Sequence, residues 1–353
     1  MKARDIVVMG ASAGGVEALM TIVRDLPRDL PAAVLVVLHV PAHGTSVLPQ
    51  LLTRAGNLVA KHPIDDEPLR RGQIYVAPPD HHIVLRDSVV HVVLGPRENG
   101  HRPAIDPLFR SAARTYAERV IGVVLSGASD DATAGLLAIR ARGGLTIVQD
   151  PDDAAYPSMP RSALQYVQAD HVAKAQDIGP LIVRLVNERI GQQTKATPVA
   201  HADDPDPAID RPSLLATPEA YAGTQPSGFA CPQCHGALWE IKEGDLTRYR
   251  CRVGHAYLPE SLSEAVEDRL EEALWIALRS LRESSSLANR LAERAALQQL
   301  PLSAEKYRER SRDAEARAEL IESVLRRGQL VDAGVPEKTE PPLQLTEDPK
   351  AND

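Results

Sequence analysis

Ile6-Val-Val-Met-Gly-Ala-Ser-Ala-Gly-Gly-Val-Glu-Ala-Leu19 is the stretch from which the rest of the chain is read. Ile6 to Met9 is a short, unbroken apolar run, the pattern of a strand covered on both faces in a parallel sheet. Gly14 and Gly15 permit a sharp turn into a helix beginning near Val16. The side chain at the apex, Ser12, then stands above the carboxyl edge of the sheet. Helix-start amides stabilise anions there, and open α/β sheets place their ligands at the same edge. Ser12 is therefore a candidate nucleophile. A phosphate- or nucleotide-binding turn and a plain tight turn are the alternatives, because short glycine motifs are weak evidence.

Working outward, two more runs have the same character. Ala33 to Leu38 ends in His39, and Val120 to Leu125 feeds Ser126-Gly-Ala-Ser-Asp-Asp131. The segment between the first two strands has the length of a right-handed crossover helix, so the strands are expected to be parallel with adjacent carboxyl ends. The fold class expected is α/β, a doubly wound, mostly parallel, Rossmann-like sheet over residues 1–190. Further expected elements are helices over Ser46 to Arg54, Ala132 to Arg142 and Ile178 to Ile190, and strands over Gly72 to Ala77 and Leu145 to Gln149. His82 to Arg86 and Val89 to Leu94 read as a β-hairpin. Asp106 reads as an N-cap with Pro107 at the first helical position.

Composition agrees with this class. The chain has 353 residues, 43% of them apolar but only 3% aromatic, so the core must be built from Val, Leu, Ile and Ala. The formal charge of −8, with no basic strip, argues against nucleic acid as a partner. No signal-peptide core and no run approaching the ~20 apolar residues of a membrane span is found, which predicts a cytoplasmic protein without membrane insertion.

An activated serine needs a base, a group that holds the base in the right tautomer, and donors for the oxyanion. Three strands end in the required types: Ser12, His39, and Asp130 or Asp131. A nucleotide-binding reading is weaker, since the spaced third glycine of a dinucleotide fingerprint and the lysine of a P-loop are missing.

Six motifs carry a resemblance: Gly10-Ala-Ser12-Ala-Gly-Gly15, Leu38-His39-Val40-Pro41, Tyr75-Val-Ala-Pro-Pro-Asp80, Ile105-Asp-Pro-Leu-Phe-Arg-Ser111, Leu125-Ser-Gly-Ala-Ser-Asp-Asp131 and Ser158-Met-Pro-Arg161. In this order they resemble the catalytic domain of the chemotaxis protein-glutamate methylesterases, from about residue 4 to residue 190. The resemblance implies Ser12 as nucleophile, His39 as general base and Asp131 as the residue orienting His39. Asp131 is preferred because the family's aspartate precedes a small-residue run ending in Gly-Leu, matched by Ala132-Thr-Ala-Gly-Leu136. The implied reaction is hydrolysis of a γ-glutamyl methyl ester on a receptor's cytoplasmic helix, with release of methanol; some members also deamidate glutamine. Ala13, Gly14 and Ala128 are the oxyanion or substrate-binding candidates. Ala13 and Ala128 depart from the family's usual hydroxyl residue and methionine, which favours an alternative: a signalling scaffold that keeps the esterase fold for recognition. The catalytic strand begins at Ile6, so gating by an N-terminal receiver domain is not expected. His43, His81, His82 and His101 could line the cleft, though exposed or structural roles are favoured for each; Arg102 and Arg110 could meet acidic groups on a receptor helix, with a surface or helix-capping role at least as well supported.

A Pro-, Asp-, Ala- and Thr-rich stretch, residues 191–227, reads as a disordered acidic linker. Cys231-Pro-Gln-Cys234, then sixteen residues, then Cys251-Arg-Val-Gly-His255 gives three thiolates and an imidazole. Those ligands suit structural zinc, in a ribbon over 228–258. Gly236 and Gly254 would turn the chain, between strands near Leu238 to Ile241 and Arg248 to Cys251. Over 259–330, Leu262, Val266, Leu270, Leu274, Ala277, Leu281, Ala288, Leu291 and Ala295 keep helical spacing on one face. Ala314, Ala318, Ile321 and Leu325 mark a second helix, giving a helical hairpin or coiled coil with a docking or self-associating role. Residues 331–353 read as a disordered tail.

Overall fold

The computed structural model describes residues 3–188 and 225–332. The expected linker lies outside the described residues except for 225–227, which already belong to a strand, and the expected tail lies outside them except for 331 and 332, which end the last helix.

In chain order the N-terminal domain contains β1 (Ile6–Ala11), α1 (Gly15–Arg24), β2 (Ala33–Leu38), α2 (Leu48–Ala55), β3 (Val59–Lys61), β4 (Glu67–Pro68), β5 (Gln73–Val76), β6 (His82–Arg86), β7 (Val89–Val93), α3 (Ile105–Tyr116), β8 (Val120–Val124), α4 (Thr133–Ala141), β9 (Leu145–Gln149), α5 (Ser158–Tyr166), β10 (His171–Ala173) and α6 (Ala175–Asn187). Seven strands form one sheet in the order β10-β9-β8-β1-β2-β5-β3, and every pairing in it is parallel. The chain moves outward from β1 through β2, then returns to add β8 on the other side. The strand order therefore reverses beside β1, where open α/β sheets form their ligand crevice.

Each strand sends alternate residues to opposite faces. Val7, Met9, Val34 and Val36 meet α1, α2 and α6, through Leu19, Ile22, Leu52, Ile178 and Ile182. Ile6, Val8, Leu35 and Val37 meet α3, α4, α5 and the β6–β7 hairpin, through Leu108, Phe109, Leu136, Met159, Ile83 and Leu85. Because both faces are covered, the central strands β1, β2 and β8 carry no polar side chain.

One local expectation fails. Ala104, not Asp106, is the N-cap of α3; Asp106 and Pro107 sit inside its first turn. The Asp106 carboxyl is buried and accepts the Gly135 N–H (2.6 Å) from the first turn of α4, a tertiary demand that outweighs local capping.

The ribbon is a four-stranded antiparallel sheet of β11 (Gln225–Ala230), β12 (Ala237–Glu243), β13 (Leu246–Cys251) and β14 (Ala256–Tyr257). It starts a few residues before the expected boundary and has two more strands than expected. The described residues up to Val266, including the first turns of α7 (Pro259–Leu297), form one compact unit. In the second unit, the rest of α7 pairs with α8 (Pro301–Asp332) as a helical hairpin. Leu278, Ala318 and Leu325 form its core, flanked by Leu274, Leu281 and Ile321. Ser285 and Ser311 share a hydrogen bond (2.9 Å), and Arg282 pairs with Glu322 (2.6 Å). Leu270, expected on the inner face, is exposed. Among the described residues no helix is long and apolar enough to cross a membrane.

Candidate active site

Ser12 follows β1 directly. Its N–H donates to Ser126 O (2.9 Å) across the sheet edge, and its carbonyl accepts from Gly15 N–H (3.0 Å), closing the turn into α1. Gly14 takes φ 69°, the left-handed region, and a Cβ there would lie 2.7 Å from Ala155 Cβ and 2.8 Å from Ser126 Oγ. Only glycine meets both conditions. Ser126 locks the facing loop: its Oγ donates to Ala13 O (2.8 Å) and accepts from Tyr156 N–H (2.9 Å), while its N–H donates to Gln149 Oε1 (2.9 Å).

β2 lies next to β1, and His39 at its end hangs from Ala11 O through its own N–H (3.1 Å). That placement brings His39 Nδ1 within 3.1 Å of Ser12 Oγ. On the ring's far side, Nε2 lies 2.8 Å from Asp131 Oδ2. A carboxylate can only accept, so the ring proton sits on Nε2 and the Nδ1 lone pair faces the serine. The His39 side chain is 5% exposed and that of Asp131 fully buried, so water competes little for either bond.

Asp131 is surrounded by donors. Besides His39, Oδ2 accepts from Ile105 N–H (2.6 Å), and Oδ1 accepts from Ala132 N–H (2.8 Å), Asn99 Nδ2 (3.0 Å) and Asp106 N–H (3.2 Å). Burial alone would raise its pKa, but the hydrogen bond and charge of His39, with the Ile105 N–H, hold the carboxyl well below the usual carboxylate range. Asp106 goes the other way: burial, then the charge of Asp131 beside it, push it up to about 8. Two neighbouring acids are thus driven apart, and Asp131 is the one kept ionised.

Asp130, the sequence's other candidate, faces away from His39. Its Oδ2 accepts from Ser261 N–H (3.0 Å), and burial first of all pushes it up to about 7.

His101, for which the sequence favours a structural or exposed role over a place in the cleft, stacks on the His39 ring with centroids 3.6 Å apart and planes 16° apart. Burial, then the neighbouring His39, push its pKa down to about 4, so at neutral pH it is an uncharged plate against the base. His82 is buried between Pro96 O (2.9 Å) and Ala104 N–H (3.1 Å), a structural role. Arg102 pairs with Asp80 (2.7 Å) and Arg110 with Glu98 (2.9 Å); Arg110 is buried rather than on the surface. Asn99 and Glu98 were not singled out by sequence reading, since nothing local distinguishes them.

Of the candidate oxyanion donors, Ala13 and Gly14 follow Ser12 in the turn, and Ala128 follows Gly127, at which a Cβ would lie 2.9 Å from Ser12 Cβ. Among the described residues, the N–H groups of Ala13, Gly14 and Ala128 make no hydrogen bond within the protein, whereas those of Ser12, Gly15 and Gly127 are used by the turn and the facing loop. Ala128 is exposed, at the rim.

Cys231, Cys234, Cys251 and His255 converge, their ligand atoms all within 4.8 Å of one another. Cys234 Sγ and Cys251 Sγ are 3.5 Å apart, and His255 Nδ1 lies 3.6 Å from Cys231 Sγ and 3.5 Å from Cys251 Sγ. Metal–ligand bonds of about 2.0–2.3 Å in a tetrahedron give ligand separations of this size. The cluster can therefore hold a metal ion. Gly254 takes the left-handed turn at one pair (φ 107°), but at the other it is His235 (φ 60°), not Gly236.

A family model described as CheB methylesterase matches residues 7–182. A putative protein-glutamate methylesterase/protein-glutamine glutaminase of Leptospira interrogans is 35% identical over 190 residues, covering 54% of this chain and 98% of that protein. The Maricaulis maris protein-glutamate methylesterase/protein-glutamine glutaminase is 35% identical over 184 residues, 51% of this chain and 46% of that one. Among solved structures, the crystal structure of the Thermotoga maritima CheB methylesterase catalytic domain is 32% identical, with a TM-score of 0.50, covering 52% of this chain and all of that one.

Proposed function

Because the chain belongs to the CheB methylesterase family, we propose that it hydrolyses γ-glutamyl methyl esters on chemoreceptor-type helices, and glutamine side chains at equivalent positions, through Ser12, His39 and Asp131. The observation that carries this reading is the unbroken chain from Ser12 Oγ to His39 Nδ1 (3.1 Å) and from His39 Nε2 to Asp131 Oδ2 (2.8 Å), at the carboxyl edge of three adjacent strands.

Ser12 Oγ attacks the ester carbonyl as His39 Nδ1 takes its proton. Asp131 steadies the imidazolium by its charge without taking the proton itself. The carbonyl oxygen becomes an oxyanion, for which the N–H groups of Ala13, Gly14 and Ala128 are the proposed donors. Backbone donors need no particular side chain, so the alanines at 13 and 128 are compatible with the role. His39 returns the proton to the leaving methoxide, releasing methanol. Water, deprotonated by His39, then attacks the acyl-enzyme and gives glutamate and free Ser12; with glutamine the leaving group is ammonia. A scaffold would need no such aligned chain, which favours catalysis over the recognition-module alternative.

The Cys₃His cluster is read as a structural zinc site: four protein ligands leave no open position for substrate. Zinc would supply much of the folding free energy of the ribbon. The hairpin of α7 and α8 is proposed as the region for docking or self-association.

Ser12→Ala is expected to keep the melting curve of the wild type, lose fluorophosphonate labelling, and release methanol from methylated receptor at least about 10⁴-fold more slowly. Undiminished turnover by this variant would remove Ser12 from the mechanism.

A further inference from the structure

Asn99 is bonded on one side to the aspartate of the proposed triad and on the other to the ribbon. Its Nδ2 donates to Asp131 Oδ1 (3.0 Å) and to Asp106 Oδ2 (3.2 Å). Its Oδ1 accepts from Leu258 N–H (3.0 Å) and Ser261 Oγ (3.1 Å). The main-chain N–H donates to Ala256 O (2.8 Å). All these bonds are buried, and the amide of Asn99 donates toward the two acids through Nδ2 while accepting from the Leu258 N–H through Oδ1.

The neighbouring residue repeats the link with charge. Glu98, 1% exposed, receives Arg110 Nη2 on both oxygens (2.9 Å each) and is approached by Arg250 (3.4 Å) and Arg248 (3.7 Å) from β13. Beside the triad aspartate, Asp130 accepts the Ser261 N–H (3.0 Å).

The ribbon atoms in these contacts lie next to the metal cluster in the chain. Arg250 precedes Cys251, and Ala256 follows His255. The buried apolar cluster of the ribbon consists of Cys231, Leu238, Cys251, Tyr257 and Leu262, two of which are ligands. So small a core leaves the strands around the cluster dependent on the metal, while Leu246 and Leu258 pack separately on Ala134 of the catalytic domain.

We infer that Asn99 is a positioning residue that couples the metal state of the Cys₃His cluster to the orientation of Asp131, so that the esterase site depends on a metal that never touches substrate. The inference rests on the reading of Ser12, His39 and Asp131 given above. Asp131 keeps four donors from its own domain, so losing Asn99 loosens the carboxylate without freeing it. The expected penalty is about tenfold in kcat with KM unchanged.

The test uses the full chain, zinc-loaded, then stripped by a chelator under reducing conditions, together with Cys234→Ser and Asn99→Gly. Glycine is chosen at 99 because φ there is 49°, which alanine would strain. Amide hydrogen exchange is followed by mass spectrometry over residues 103–109 and 130–136, which contain the N–H groups bound to Asp131 and Asp106. Stripping, Cys234→Ser and Asn99→Gly are each expected to speed exchange in both segments while α1 and α6 on the opposite face keep their protection. Zinc is expected to restore the stripped wild type but not Asn99→Gly.

A stripped protein whose ribbon exchanges freely while 130–136 stays protected would overturn the coupling, and so would exchange that rises evenly along the whole chain. Failure of the triad reading would appear separately, as zinc-loaded wild type that fluorophosphonate does not label at Ser12; the exchange data would still report on Asn99.

Discussion

At the scale of single residues, the site turns on which proton His39 carries. Asp131 can only accept, so Nε2 keeps its hydrogen and Nδ1 is free for Ser12. In Asp131→Asn the amide stabilises the imidazolium poorly and can hold the wrong tautomer. Steady-state methanol release is expected to fall about 10⁴-fold in kcat, and the melting temperature to fall as well, because in either orientation the new amide NH2 faces buried N–H donors. A loss smaller than about tenfold would show that Asp131 does not orient the base. Ser12 and His39 were legible as candidates because each ends an apolar run whose strand neighbours the other. The choice between Asp130 and Asp131 was not open to spacing arguments, since both follow the same strand; family likeness pointed to Asp131, and in three dimensions it is Asp131 that meets His39 while Asp130 meets Ser261. Asn99 left no sequence signal, and nothing set His101 apart from the three other histidines that could line the cleft. Their partners lie far off in the chain, Asp131 and Leu258 for Asn99 and His39 for His101, and neither terminates a periodic element.

At the scale of elements, the strand–turn–helix unit of β1 and α1 holds the nucleophile by backbone geometry. Gly14→Ala is expected to cost about 1–2 kcal/mol for the left-handed backbone alone. Contacts with Ala155 and Ser126 add to that cost, and relieving them moves the turn that carries Ser12. Fluorophosphonate labelling of this variant is expected to slow at least about 100-fold, since a displacement on the order of 1 Å suffices for that, together with a lower melting temperature. Wild-type labelling would mean that the turn tolerates a Cβ and that Gly14 is not what aims the serine. The central strands were readable because burial on both faces makes them continuous apolar runs. β3, β4 and β10 were not, because two or three residues at a sheet edge or in a hairpin sheet make no run. In α7, Leu278 rather than Leu270 lies in the hairpin seam, a phase that the helical period cannot choose until the partner helix is in place.

At the scale of the folded molecule, ionisation of Asp130 connects pH to the joint between the catalytic domain and the ribbon. Its carboxyl is buried, accepts one hydrogen bond from Ser261, and leaves Oδ1 without a partner, so the neutral form is favoured and the pKa rises to about 7. A folded-state pKa above the unfolded value near 3.8 contributes stability that is full below the unfolded pKa and is lost as pH rises through the folded one. Between about pH 4 and 7, then, this group alone makes the wild type progressively less stable. Asp130→Asn cannot ionise, and its side-chain oxygen can still accept the Ser261 N–H. Thermal melts from pH 5 to 8 are therefore expected to show a flatter profile for the variant and a melting temperature above wild type at pH 8, with a smaller difference at pH 5. Parallel profiles would mean that Asp130 is solvated in solution and that the domain–ribbon joint is looser than its hydrogen bonds imply. A variant less stable than wild type at every pH would mean that the carboxylate is needed in its charged form, as an anion at the start of α7, and that the helix N-terminus outweighs burial there.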